Sequence, residues 1–222
     1  MTCFPRILPA DIWNRAVLAA FLVLWAISSI EVPYPKYFWL QHLPTVVALM
    51  ALIAADHRWH ISRMSYSLVL AFMGLHLVGA RYLYSYVPYD DWAERIVGIR
   101  ITEQFGFTRN HYDRFVHFCF GLLVIPAWRF SVRIAGLPAA WSALFAFSAI
   151  LAAGAAYEIF EWLAAVVMAP DWADSYNGQQ GDIWDAQKDM AVAACGALVG
   201  LGFIAIGWLR PSDPVRVKPR QL

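Results

Sequence analysis

Residues 138–168 read PAAWSALFAFSAILAAGAAYEIFEWLAAVVM, an apolar run whose only charged residues are Glu158 and Glu161. A bilayer's hydrocarbon core is about 30 Å thick, and a helix rises about 1.5 Å per residue, so roughly 20 such residues cross it. The run is long enough to do so and predicts a membrane-spanning helix. The whole chain agrees: of its 222 residues 60% are hydrophobic and 15% charged, 16% are aromatic, and the mean hydropathy is +0.51. Soluble domains are about 45–50% apolar and about 25% charged, so a soluble enzyme is the wrong class.

Five further apolar runs lie at about residues 15–31, 37–55, 64–83, 113–130 and 185–209. Together they predict an all-α, polytopic bundle of about six transmembrane helices, one domain over residues 1–222. The first run follows Arg6 and Arg15 but has no Ala-x-Ala site behind it, so it is expected to be a retained span. Ten of the seventeen Lys and Arg fall on one side of the alternating spans, which places the N-terminus and C-terminus in the cytoplasm. A net charge of +1 gives no nucleic-acid surface. Cys3, Cys119 and Cys195 form no CxxC pair and are expected to be packing residues.

Two connections are long. Residues 84–112 are too polar to span, yet Trp92, Ile96, Val97, Ile99, Phe105 and Phe107 would let the segment lie in the interface over the helix ends; an ordinary external loop is the alternative. Residues 169–184 carry Asp171, Asp174 and Asp182 beside Gly178, Gln179, Gln180 and Gly181, without a Lys or Arg.

Charges at bilayer depth cost roughly 2.5–3.5 kcal/mol each on insertion scales, so those present are expected to face the bundle interior. The third run carries His76, with Arg81 near its end. The fourth opens with Asp113 and His117, four apart; the fifth holds Glu158 and Glu161, three apart; Asp182, Asp185 and Asp189 enter the sixth. Residues three or four apart share a helical face, so each helix offers one polar stripe. Adjacent spans run in opposite directions, and counting residues from the helix ends puts all four stripes in the same leaflet, the outer one for a cytoplasmic N-terminus.

A histidine among carboxylates can hold a divalent metal ion, run acid and base chemistry, or pass protons. Simpler explanations exist for some members: His76 as a packed histidine, Arg81 as a snorkelling charge, Asp113 and Asp185 as helix caps. Glu158, Glu161, Asp189 and His117 lie beyond the first turn of apolar helices and need another account. A polar network that only fixes helix register is one.

The stretch Arg109-Asn110-His111-Tyr112-Asp113-Arg114, then His117-Phe118, then Glu158 and Glu161-Trp162, then Gln180-Gly181-Asp182, Trp184-Asp185, Gln187 and Asp189-Met190 resembles the YjdF-like family of bacterial inner-membrane proteins. His76 with Gly79-Ala80 extends the likeness over most of the chain from residue 64. The resemblance implies a multi-span fold in the bacterial inner (plasma) membrane and no particular activity. A looser similarity, through Asp113-Arg114, His117-Phe118, Glu158 and the Asp185 to Asp189 spacing, is to VanZ-like membrane proteins; Glu161 and Asp189 depart from that pattern.

The expected function is an integral membrane protein with a His/carboxylate site acting on a lipid-linked or envelope substrate. Its candidate catalytic residues are His117, Asp113, Glu158 and Glu161. Its candidate metal ligands are His117, Glu158, Glu161, Asp185 and Asp189, and its substrate contacts His76, Arg81, Asp182 and Gln187. The lipid bilayer is the expected partner. A small proton-coupled transporter and a structural membrane protein are the alternatives; the transporter is disfavoured by the absence of an inverted repeat.

Overall fold

A computed structural model of the protein describes residue 9 and residues 11–167 and 180–207. Among them every regular element is a helix: α1 (Ile12–Ser28), α2 (Pro35–Trp59), α3 (Arg63–Arg81), α4 (Tyr89–Val97), α5 (Ile101–Phe105), α6 (Tyr112–Gly121), α7 (Val124–Arg133), α8 (Ala139–Val167) and α9 (Asp185–Ala205). The expected all-α membrane bundle is what forms. Among the described residues α3, the α6–α7 stretch, α8 and α9 are long and apolar enough to cross a bilayer, and α1 is apolar but shorter. Asp171, Asp174, Gly178 and Gln179 of the acidic connection lie outside the described residues.

The helix ends follow from local chemistry. Asp11 starts α1 by accepting from the Trp13 amide at 2.7 Å, and Ser62 starts α3 by accepting from the Ser65 amide. Pro35 opens α2, where its missing N–H removes nothing the helix needs. The fourth expected span, 113–130, is not one helix but two, parted at Leu122 and Leu123. Pro126 is the cause: it has no N–H for the Leu122 carbonyl, and its ring crowds that oxygen.

The two larger of four packed clusters among the described residues join most of the helices. Leu18 and Phe21 of α1 meet Leu70, Met73 and Leu77 of α3 and Leu49 and Leu52 of α2. Val124, Ile125 and Trp128 of α7 meet Ala146 and Ile150 of α8 and Ala197 of α9. The tightest contact is α6 on α9. A Cβ on Gly121 would strike the Ala193 carbonyl oxygen, and one on Gly196 would strike the Phe118 carbonyl oxygen, so the two backbones touch at glycines. Lipid tails are as apolar as leucine, so association inside a membrane depends on such close approach and not on burial from water.

Arg81 ends the first cluster. Its guanidinium donates to the carbonyls of Ser28 and Ile30, both at 2.7 Å, and of Glu31 at 3.3 Å. These are the orphan acceptors that follow the last turn of α1. Charge-assisted bonds of this kind are each worth about 1.5–3 kcal/mol at most. Arg81→Met is therefore expected to lower stability by about 1–3 kcal/mol, measured as the thermal midpoint in detergent, with the site described below unaffected.

The connection before α6 is structured. Arg100 pairs with Asp91, Glu94 and Glu103, and the Asp90 carboxylate accepts from the Thr102 amide. Ile96, Val97 and Phe105 remain exposed, as a segment lying in the headgroup layer requires.

Candidate functional site

The site forms where α3 and α8 end and α6 and α9 begin, the convergence that the depth count predicts. Asp113 and His117 project from α6, one turn apart. Asp189 projects from the second turn of α9, which the glycine contact holds against α6. One ligand atom each from Asp113, His117 and Asp189 lies within 4.8 Å of the others, and all three residues are buried. Glu158 of α8 brings Oε1 to 3.7 Å from His117 Nε2, and Asp113 Oδ1 lies 3.6 Å from the same nitrogen. Both separations are too long for hydrogen bonds. The buried Glu158 Oε1 has no hydrogen-bond partner among the described residues.

The carboxylates nearer the helix ends are held differently. Arg114 Nη2 donates to Asp185 Oδ1 at 2.6 Å and to Asp182 Oδ2 at 3.3 Å. Arg114 Nη1 donates to the Asp185 carbonyl oxygen at 3.2 Å and pairs with Asp189. Arg109 adds a 2.7 Å bond to Asp185, and Lys188 grips both oxygens of Asp182 at 2.9 and 2.7 Å. The hydrogen bond from Lys188, followed by that from the Trp184 amide, holds the Asp182 carboxyl below its ordinary 3.8. Asp185 is expected from its spacing as a metal ligand; here its Oδ1 accepts from both Arg109 and Arg114, and it stands outside the Asp113, His117 and Asp189 trio. Asp182, expected as a substrate contact, belongs to the same clamp.

Charge balance separates the clamp from the interior. Among the described residues of the site, Asp113, Glu158, Glu161, Asp182, Asp185 and Asp189 are six carboxyl groups and Arg109, Arg114 and Lys188 are three cations. Three carboxyl groups are left over, at a depth where uncompensated charge is costly. Bound protons or a divalent cation must offset them.

The other expected residues have definite places. His76 is buried with both ring nitrogens engaged: Nε2 lies 2.9 Å from the Gln41 carbonyl oxygen, and Nδ1 meets the Tyr84 hydroxyl. A carbonyl only accepts, so Nε2 carries the proton and Tyr84 donates to Nδ1. His76 thus ties α2 and the α3 turn together, and it lines a cavity that Asp113 and His117 also line. Arg81 caps α1 and does not enter the site. Glu161 accepts from Tyr157 and has Asp113, Glu158 and Asp189 as its charge neighbours. Gln187 joins Glu158, Glu161 and Asp185 around a second cavity of about 420 Å³ between α8 and α9.

Sequence reasoning gave no site role to Arg109, Arg114, Tyr84 or Tyr157. The arginines alone carried a signal, being cations within a few residues of a carboxylate stripe. Tyr84 reaches His76 only because Leu83 and Tyr84 both adopt left-handed backbone, with φ of 51° and 54°, and because Gly79 leaves space for its ring. No periodicity reports such a turn.

Comparison with known proteins agrees with the fold. Residues 13–209 match a family model described as a predicted membrane protein, DUF2238. The chain is 32% identical over 206 residues to the inner membrane protein YjdF of Escherichia coli strain K12, covering 90% of this chain and 92% of that protein. No solved structure matches.

Proposed function

The chain belongs to the DUF2238 family of predicted membrane proteins, and from that premise we propose that it is an inner-membrane enzyme with a divalent metal ion held by Asp113, His117 and Asp189, acting on a lipid-linked or envelope substrate. The observation that carries the proposal is the approach of those three ligand atoms to within 4.8 Å in a buried, carboxylate-rich setting. An imidazole with carboxylate oxygens suits zinc, manganese or iron. The unpartnered Glu158 oxygen supplies a fourth donor and offsets nothing else in the vicinity. With the metal bound, two of the three excess negative charges are neutralised.

The chain's own residues divide the work. Arg109 and Arg114 fix the start of α9 through Asp185, which sets where Asp189 sits. His117 stands between Asp113 and Glu158, whose oxygens lie 3.6 and 3.7 Å from its Nε2. Glu161, bonded by Tyr157, and Gln187 face the second cavity, where the polar part of a substrate would lie. A bound divalent ion supplies Lewis acidity toward a carbonyl or phosphoryl oxygen.

Elemental analysis of purified protein by plasma mass spectrometry tests the metal. Near-stoichiometric zinc, manganese or iron is expected in the wild type, and at least a fivefold loss in His117→Ala and in Asp189→Asn. His117→Gln, which keeps polarity and size, guards against a folding artefact. A folded wild type that retains no metal after loading with each ion sinks the proposal and leaves metal-free acid and base chemistry, transport or a register-fixing network.

A further inference from the structure

A cavity of about 170 Å³ runs inward from the site. Its polar end is formed by Asp113, His117, Tyr84 and Tyr157. Its other end is apolar, formed by Phe72, Phe120 and Gly154. Three helices give the same direction: Phe72 lies four residues deeper than His76 on α3, Phe120 seven deeper than Asp113 on α6, and Ala153 four deeper than Tyr157 on α8. At 1.5 Å per residue the cavity extends about 6–10 Å below the polar cluster. It is thus shaped with its head at the site and its tail toward the middle of the membrane.

The opening is lateral. α2 and α8 both contribute walls, yet α2 packs mainly along α3 and α8 along α7 and α9; among the described residues the two come together at Leu83, which packs against Leu40 of α2 and Ala164 of α8. Ala48 of α2 and Ala153 of α8 line the cavity and are also exposed on the surface of the protein, so they form its rim. Exposed apolar residues continue the lipid-facing surface nearby, Val46 and Val47 on α2 and Ile159 on α8.

What fills such a space is limited. A water needs two to four polar partners, which the inner half does not offer. The only apolar molecule at that depth is the bilayer's own hydrocarbon. We propose that a lipid hydrocarbon tail enters between α2 and α8, past Ala48 and Ala153, and lies against Phe72 and Phe120. Its polar end then stands at His117 and Asp113, with the second cavity beyond Glu158 left for the headgroup. This names the substrate of the proposed metal site as a membrane lipid loaded sideways from the bilayer, and it rests on that reading for the chemistry but not for the occupancy.

Photolabelling tests it. The full chain is reconstituted in phosphatidylethanolamine and phosphatidylglycerol vesicles containing either a phospholipid with a diazirine midway along one acyl chain or a polyprenyl phosphate with a diazirine in its tail. Adducts are then mapped by mass spectrometry. Labelling at Phe72 and Phe120 is expected with one of the probes, and the probe that labels them identifies the tail as acyl or prenyl. Ala153→Trp and Ala48→Trp, both at exposed positions, are each expected to cut that labelling at least fivefold. Labelling at Leu22 and Val23 on the outer face of α1 should stay constant. No interior adduct with either probe, or undiminished adducts in both tryptophan variants, overturns the proposal. The His117→Gln variant separates the two claims: metal lost with interior labelling retained upholds the lipid cavity apart from the metal, whereas a wild type that holds metal but shows no interior labelling upholds the metal alone.

Discussion

Replacing Arg114 with glutamine is expected to cost about 3–5 kcal/mol of stability, the range for removing one partner of a buried ion pair. The guanidinium bridges Asp182, Asp185 and Asp189 and accepts no substitute of simpler geometry. Arg114→Lys is expected to recover less than half of the loss, since one ammonium cannot reach three carboxylates and a backbone carbonyl from a single position. Most of the penalty comes from the carboxylates left behind, so adding Asp185→Asn to Arg114→Gln should restore part of it. Thermal midpoints in detergent at matched salt read all three outcomes. A loss under 1 kcal/mol would mean that the clamp is wet and exchangeable.

The same clamp has a definite pH signature. Asp182 is held below its ordinary 3.8, chiefly by Lys188. A carboxylate with a depressed value favours the folded state above about pH 4, and that contribution disappears as pH falls through the depressed value. Wild-type stability should therefore decline on acidification. The gap between wild type and Arg114→Gln should narrow, because protonated carboxyls no longer need the arginine.

The membrane class, the order of the helices and the common level of the polar residues along the bundle were legible because each follows from one-dimensional information. Apolar length gives the spans, and a fixed rise per residue places Asp113, His117, Glu158 and Asp189 at one level. The break at Leu122 was also within reach, since Pro126 cannot donate to that carbonyl, which accepts from the Ile125 amide at 3.1 Å instead, but the continuous apolar run concealed it. Other features depend on which faces meet. Arg114 serves as well for an orientation charge as for a clamp until α9 is known to lie against α6. Arg81 and His76 lie at the depth of the site, yet their hydrogen bonds go to α1, α2 and Tyr84. The positive-φ turn at Leu83 and Tyr84 is set by tertiary contact and by the space over Gly79, and neither is written in hydropathy.

The placement of Asp189 beside His117 depends on a contact more than a turn away on both helices, and breaking it should have the largest effect of all. Gly196→Val and Gly121→Val are each expected to abolish the folded, detergent-stable protein. A Cβ on Gly121 would come within 2.7 Å of the Ala197 nitrogen and 2.9 Å of the Gly196 Cα, and these are backbone atoms with no rotamer to yield. Overpacking a side chain costs about 1–3 kcal/mol; here two helices must separate, and with them the clamp and the ligand trio. Gly196→Ala is the informative variant. Alanine brings the same Cβ against the Phe118 carbonyl oxygen but none of valine's two further methyls, so stability should fall sharply and the folded fraction that remains should have α6 and α9 forced apart, with metal content per folded protein reduced although no ligand has been changed. Gly202→Ala is the control, because nothing lies within 4 Å of its Cβ position. It should hold its metal and, by removing a helical glycine, gain up to about 1 kcal/mol. Equal metal content in Gly196→Ala and Gly202→Ala would show that the ligands are positioned by their own bonds and not by the glycine crossing.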